Sequence, residues 1–176
     1  YNAIVLPQDQ PLGDWYAEDY AAHTMPESWA PRLADTQELV DRYLPRLRQK
    51  LMWEERQWSI LVVGVGQERV LDTSVGEGTP LAGAIPQGSC VVGYELHHAL
   101  GLKPGQQITV LGRVFRIEKC ERELGTKDDI SLWIPLADAQ LLLNQPGAIN
   151  EILIVEHLPL GFLACAVWIG FLMYVN

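Results

Sequence analysis

The segment 89-SCVVGYELHHALGLKPGQQITVLGRVFRIEKCE-121 decides the fold class. Ser89–Val92 is short, apolar and rich in β-branched residues, which predicts a buried strand. Tyr94–Leu100 follows as a helix, and Gly101 stops it, because glycine readily takes the left-handed backbone that closes a helix. Lys103-Pro104-Gly105 then makes a turn. Beyond it, QQITVL and RVFRIEKCE are arranged about Gly112. Ile108 and Val110 on one arm, with Val114, Phe115 and Ile117 on the other, predict a half-buried antiparallel hairpin.

Working outward, 58-WSILVVGV-65 is a run of branched apolar residues, the signature of a strand covered on both faces. Residues 37–53 have helical spacing in Leu39, Tyr43 and Leu47, but Pro45 sits among them. A proline inside a helix costs about 3 kcal/mol, so this stretch is read as extended chain leading into the strand. Near the start, 3–6 read as a strand, 14–22 as a helix, and 26-PESWAPRLADT-36 as a helix opening with Pro and Glu. Residues 66–88 read as a surface loop and 125–129 as a turn. A strand over 130–136, a short helix over 137–143 and a strand over 149–157 complete the order. The fold class is α+β, with mixed and antiparallel sheets and short helices.

The chain has 176 residues, 48% of them hydrophobic, enough for a sizeable core. Its 13 basic and 22 acidic residues give a net charge of −9, and no basic stripe interrupts that sign. Phosphate backbones are repelled by such a surface, which argues against nucleic acid as a partner. Three cysteines are too few for a disulfide scaffold. Cys90 and Cys120 leave two readings open: buried free thiols, which we favour, or a bridge in an oxidising compartment.

The last stretch, 158-LPLGFLACAVWIGFLMYVN-176, carries no charge and no polar stripe. At about 1.5 Å per residue a helix of that length is about 28 Å long, near the ~30 Å hydrocarbon core of a bilayer. It predicts a transmembrane helix and divides the chain into a main domain, 1–157, and a span, 158–176.

Motifs for chemistry are thin. Gly64-Val65-Gly66 follows a strand, as a dinucleotide loop would, but Arg69 stands where the third glycine belongs. No phosphate-binding G-x-x-x-x-G-K-[ST] occurs. His97 and His98 are adjacent, about 100° apart on a helix, so they do not share one face as a metal pair would. Asp128-Asp129 offers too few oxygen ligands for calcium and reads as a turn with local hydrogen bonds. No catalytic residue, cofactor site or metal site is assigned.

Several stretches taken in order resemble ABC-transporter permeases of the FtsX/MacB type. They are 1-YNAIVLPQD-9, 24-TMPESWAPRL-33, the segment from Pro86 through 130-ISLWIPLADAQLLLNQPGAINEILIVE-156, and the apolar tail. The resemblance implies a MacB-like extracytoplasmic domain followed by a membrane helix. It implies a non-catalytic permease subunit whose ectodomain couples ATP hydrolysis by a separate cytoplasmic ATPase to export, lipoprotein release or cell-wall regulation. It further implies a homodimer in the cell (inner) membrane, contact with membrane lipid, and a periplasmic adaptor or lipoprotein as an additional partner. In that family a membrane helix precedes the ectodomain, the ectodomain continues past the strand matched by 149–156, and a basic cytoplasmic segment follows the last helix. An additional segment is therefore expected at the His157–Leu158 junction.

The working surfaces expected for such a protein are loops. The aromatic segment 8–29, with Trp15, Tyr16, Tyr20 and Trp29, and the loop 66–84, with Glu68 and Glu77, are the candidate partner contacts. Ordinary packing is the simpler reading of the aromatics. Two other functions compete: a membrane-anchored enzyme on a small β-barrel-like domain, suggested by LGLKPGQQITVLG, and a passive anchored adaptor.

Overall fold

A computed structural model describes residues 3–18, 20–36, 40–71 and 80–156. The apolar tail, His157 and Glu77 lie outside the described residues. Among the described residues no helix is long and apolar enough to cross a membrane.

Among the described residues, one mixed sheet of nine strands dominates. In chain order its members are β1 (Ala3–Val5), β3 (Val40–Trp53), β4 (Trp58–Val65), β5 (Arg69–Val70), β6 (Ser89–Val92), β7 (Gln107–Val110), β8 (Arg113–Cys120), β9 (Ser131–Pro135) and β11 (Glu151–Glu156). They lie in the order β1-β11-β3-β4-β9-β6-β8-β7, with β5 added on β3. The β4–β9 and β6–β8 pairs are parallel and the others antiparallel. Two further strands, β2 (Met25–Pro26) and β10 (Ala148–Ile149), form a small separate ladder.

The long strand β3 is possible because Pro45 falls in a gap. β4 pairs with β3 from Arg46 onward, and β5 pairs with Arg42 and Tyr43. Between those two partners the Pro45 carbonyl accepts from Gly66 N at 2.9 Å. Its missing N–H points the same way, into the break where no ladder bond is due. The proline that vetoes a helix is thereby harmless in the strand.

Tyr43, Leu47, Leu51 and Trp53 of β3 and their neighbours form the apolar face. Trp53, Ile60, Val62, Cys90, Phe115, Ile117 and Ile134 are all buried there in one cluster. The sheet curls enough for Trp53 Nε1, at the end of β3, to donate to Thr109 O on the far edge strand at 2.7 Å. The two hairpin tips also meet, where Gly112 N donates to Glu55 Oε1 at 3.1 Å. Helix α2 (Tyr94–Leu100) contributes Leu96 to this core, and α3 (Leu136–Leu142) contributes Ala139 and Leu142. A second cluster, with Tyr43, Leu47, Ile152 and Ile154, packs under the 3-10 helix Glu27–Thr36.

The Gly64-Val65-Gly66 motif has a packing reason. A Cβ on Gly64 would overlap Ala139 Cβ, and one on Gly66 would lie 2.6 Å from Pro45 Cγ. Helix α3 sits on the strand because glycine leaves room for it.

Much of the 89–121 reading holds residue for residue. Strand β6, helix α2 and the hairpin β7–β8 occupy the expected places, and Gly101 closes α2 with φ 63°. One detail changes: Val114 is exposed while Phe115 and Ile117 are buried. Successive strand residues point to opposite faces, so Val114 and Phe115 never share one. The first helix, α1, runs Leu12–Glu18 rather than 14–22. The 27–36 helix is 3-10 in type, with Pro31 inside it. The loop 66–88 contains the short strand β5.

Candidate functional site

The opposite, even-numbered face of β3 is charged. Leu44, Arg46 and Arg48 stand in a row, with Glu151 of β11 directly opposite Arg46. Glu151 is fully buried. Its Oε2 accepts from Arg46 Nη2 at 2.5 Å, and its Oε1 accepts from Trp15 Nε1 of α1 at 3.2 Å. Arg48 Nη1 lies 3.6 Å from Oε1, and Arg48 Nη2 lies 4.0 Å from Asp128 Oδ1. A buried carboxylate is tolerated only with such partners, since desolvating an unpaired charge costs several kcal/mol. Above the cluster opens a cleft of about 380 Å³, lined by Arg46, Arg48, Trp15, Trp133, Asp128 and Leu81 among others.

Asn150, next to Glu151, works as a piece of backbone. Its Oδ1 accepts from Arg48 N at 2.8 Å, and its Nδ2 donates to Arg48 O and to Ala21 O, each at 2.7 Å. The side chain thus continues the β3 ladder across the break between β10 and β11 and ties residue 21 to the sheet. Gln140 plays a similar part for α3, donating to Glu27 Oε2 at 2.8 Å and to Ala148 O at 3.1 Å.

The expected contact residues are scattered. Trp15 is turned inward onto Glu151, while Tyr16 beside it is 72% exposed. Tyr20 is half-buried and lines a smaller cleft of about 170 Å³. Trp29 is 46% exposed, with the Arg32 guanidinium 5.5 Å from its ring centroid. Glu68 is half-buried and accepts from Leu81 N at 2.9 Å and from Arg42 Nη1 at 3.4 Å. The structure therefore brings Trp15 to the charged cluster and leaves Tyr16 and Trp29 facing outward. Arg46, Arg48, Glu151 and Trp133 were missed in the sequence. The signal for three of them was there: an Asn-Glu pair inside an otherwise apolar strand, and arginines alternating with leucine in PRLRQ.

Several other titratable groups make local structural contacts. Asp129 is buried and accepts from Leu124 N at 3.0 Å and Gly125 N at 2.7 Å, the local turn expected of it. His97 contacts Glu121 O at 2.9 Å, and His98 stacks on Tyr94 with centroids 5.4 Å apart. Cys90 and Cys120 are free thiols, one buried and one half-buried. Burial pushes the Cys90 thiol up to about 12. Among the described residues no group of three or more His, Cys, Asp or Glu side chains is placed to hold a metal.

No known protein family matches the chain in sequence, and no curated protein does. Structure gives a different result. The periplasmic region of MacB from Actinobacillus actinomycetemcomitans superposes with a TM-score of 0.60 at 12% identity, covering 97% of this chain and 80% of that one. The fold is that of a MacB-type ectodomain. The extracellular domain of the noncanonic ABC-type transporter YknZ from Gram-positive bacteria is also similar, with a TM-score of 0.57 at 9% identity, covering 88% of this chain and 82% of that one. Within this MacB-type frame, the conspicuous sequence units find their places: Gln140 anchors α3, and Asn150-Glu151 joins β11 to β3 and α1.

Proposed function

We propose that the chain is the extracytoplasmic part of a non-catalytic ABC-transporter permease that works with a separate cytoplasmic ATPase. The observation that carries this reading is the MacB-type fold over nearly the whole chain, at 97% coverage. One feature of the sequence supports it: the segment 158–176 has the length and composition of a membrane helix. On this reading 1–157 is the ectodomain and 158–176 the span that returns to the membrane, in the company of lipid. Two copies form the transporter, and an adaptor or lipoprotein meets the ectodomain outside. Tyr16 and Trp29, with the loop carrying Glu68 and Glu77, are the surfaces proposed to meet that partner; Trp15 and Tyr20 lie beside them in the same aromatic segment.

The test is purification of the full-length protein from membranes together with any ABC-type ATPase bound to it. A stable complex is expected, with Met52, exposed on the ectodomain, labelled after substitution by cysteine when a membrane-impermeant reagent is added outside the cell. A protein that has no further membrane segments and binds no ATPase contradicts the proposal.

A further inference from the structure

The charged cluster holds two cations to one fully buried anion. Arg46 takes Glu151 Oε2 in a hydrogen bond, and Trp15 takes Oε1. Arg48 is left with oxygens at 3.6 Å and 4.0 Å, both beyond hydrogen-bonding length. Among the described residues its Nε is buried with no partner. Yet the side chain is only 10% exposed. A guanidinium carries five donors in a planar fork suited to a carboxylate. Held nearly dry, it has two carboxylates within ion-pair reach but no side-chain hydrogen bond to either, so its donors are left incomplete.

Arg48 lines both the 380 Å³ cleft and the 170 Å³ one. Trp15, Trp133 and Leu153 give the larger cleft apolar walls. We propose that this cleft binds the carboxylate of a small amphipathic ligand, with Arg48 as the bidentate partner and the two tryptophans covering the apolar body. The size matches the low end of small-molecule sites, about 300 to 1,000 Å³. A dianionic phosphate is disfavoured by Glu151 and Asp128 nearby. This site stands independently of the transporter reading.

Isothermal titration of the full chain in non-ionic detergent tests it, with N-acetyl-Leu-Leu, its C-terminal amide, octanoate and inorganic phosphate as probes. Binding of either carboxylate probe is expected, and which one binds better separates a peptide terminus from an acyl chain. The amide should bind at least tenfold more weakly than the acid, and phosphate should not bind. Arg48→Gln should abolish binding. Asp128→Asn, at a half-exposed carboxylate, should tighten binding severalfold by removing a competitor for Arg48. If neither carboxylate binds, or acid and amide bind equally, or phosphate binds as well as they do, the proposal is wrong. If Arg48→Gln does not fold, Asp128→Asn decides alone, and an unchanged affinity overturns the site.

Discussion

The two faces of β3 divide its work. Tyr43, Leu47 and Trp53 point into apolar clusters under helices, while Arg46 and Arg48 point into a charged cluster beneath a cleft. Both faces are covered, but by different means. The apolar face is closed by shape, with glycine making room for α3 and the curl bringing Trp53 to β7. The charged face is closed by pairing, with one buried carboxylate ordering two arginines and an indole. Shape tolerates small losses in proportion to volume. A charged cluster fails as a unit, because removing one member leaves another charge buried.

Substitutions can separate the two. Trp53→Ala should cost the most, about 3 to 5 kcal/mol, through a cavity in the apolar face. Urea denaturation reads it, and a loss under 1 kcal/mol would mean that the curl does not depend on that ring. Glu151→Gln keeps the size and removes the charge. It should cost about 3 kcal/mol, the lower end for breaking a buried ion pair. A neutral result would make the charged face a surface feature rather than a second closure. Asn150→Ala should cost about 2 kcal/mol, because backbone groups of Arg48 and Ala21 lose their partners. Hydrogen exchange should then quicken at Arg48, whose amide that side chain accepts from, before it quickens in β4.

Smallest is the effect at Cys90. Its thiol is raised from 9.0 to about 12, chiefly by burial. Below pH 9 the thiol is protonated in both folded and unfolded chains, so it does not bias folding. Between about pH 9 and 12 only the unfolded thiol ionises, and stability falls as pH rises. At pH 8 the folded thiol has about a thousandfold less thiolate than an unperturbed one, the three units between the two values. With Cys165 replaced by serine, Cys120 should react with a thiol reagent in the native protein and Cys90 only on unfolding. Equal rates would show that the apolar face is open.

The sequence is legible where signals are local. Gly101 and the Lys103-Pro104-Gly105 turn mark their own positions, and Pro45 excludes a helix without help from distant residues. The cleft is not legible, because its members come from far apart: Trp15 and Glu151 are 136 positions apart and meet only once β11 lies beside β3. Periodicity gives the hairpin but misassigns Val114, whose face depends on a strict count of two from Phe115. The Asn-Glu pair is visible in the sequence, yet its meaning rests on Arg46, Arg48 and Ala21, which no spacing rule connects to it.

The transporter reading is tested most directly by motion. Two copies of the full-length permease, reconstituted with the ATPase in a lipid bilayer, would carry spin labels at Glu54 on the exposed β3–β4 tip. The account predicts that the distance between labels changes between the nucleotide-free and ATP-bound states and returns after hydrolysis. A distance that stays fixed through the cycle, in a complex that does hydrolyse ATP, would contradict it and leave a passive anchored domain in its place.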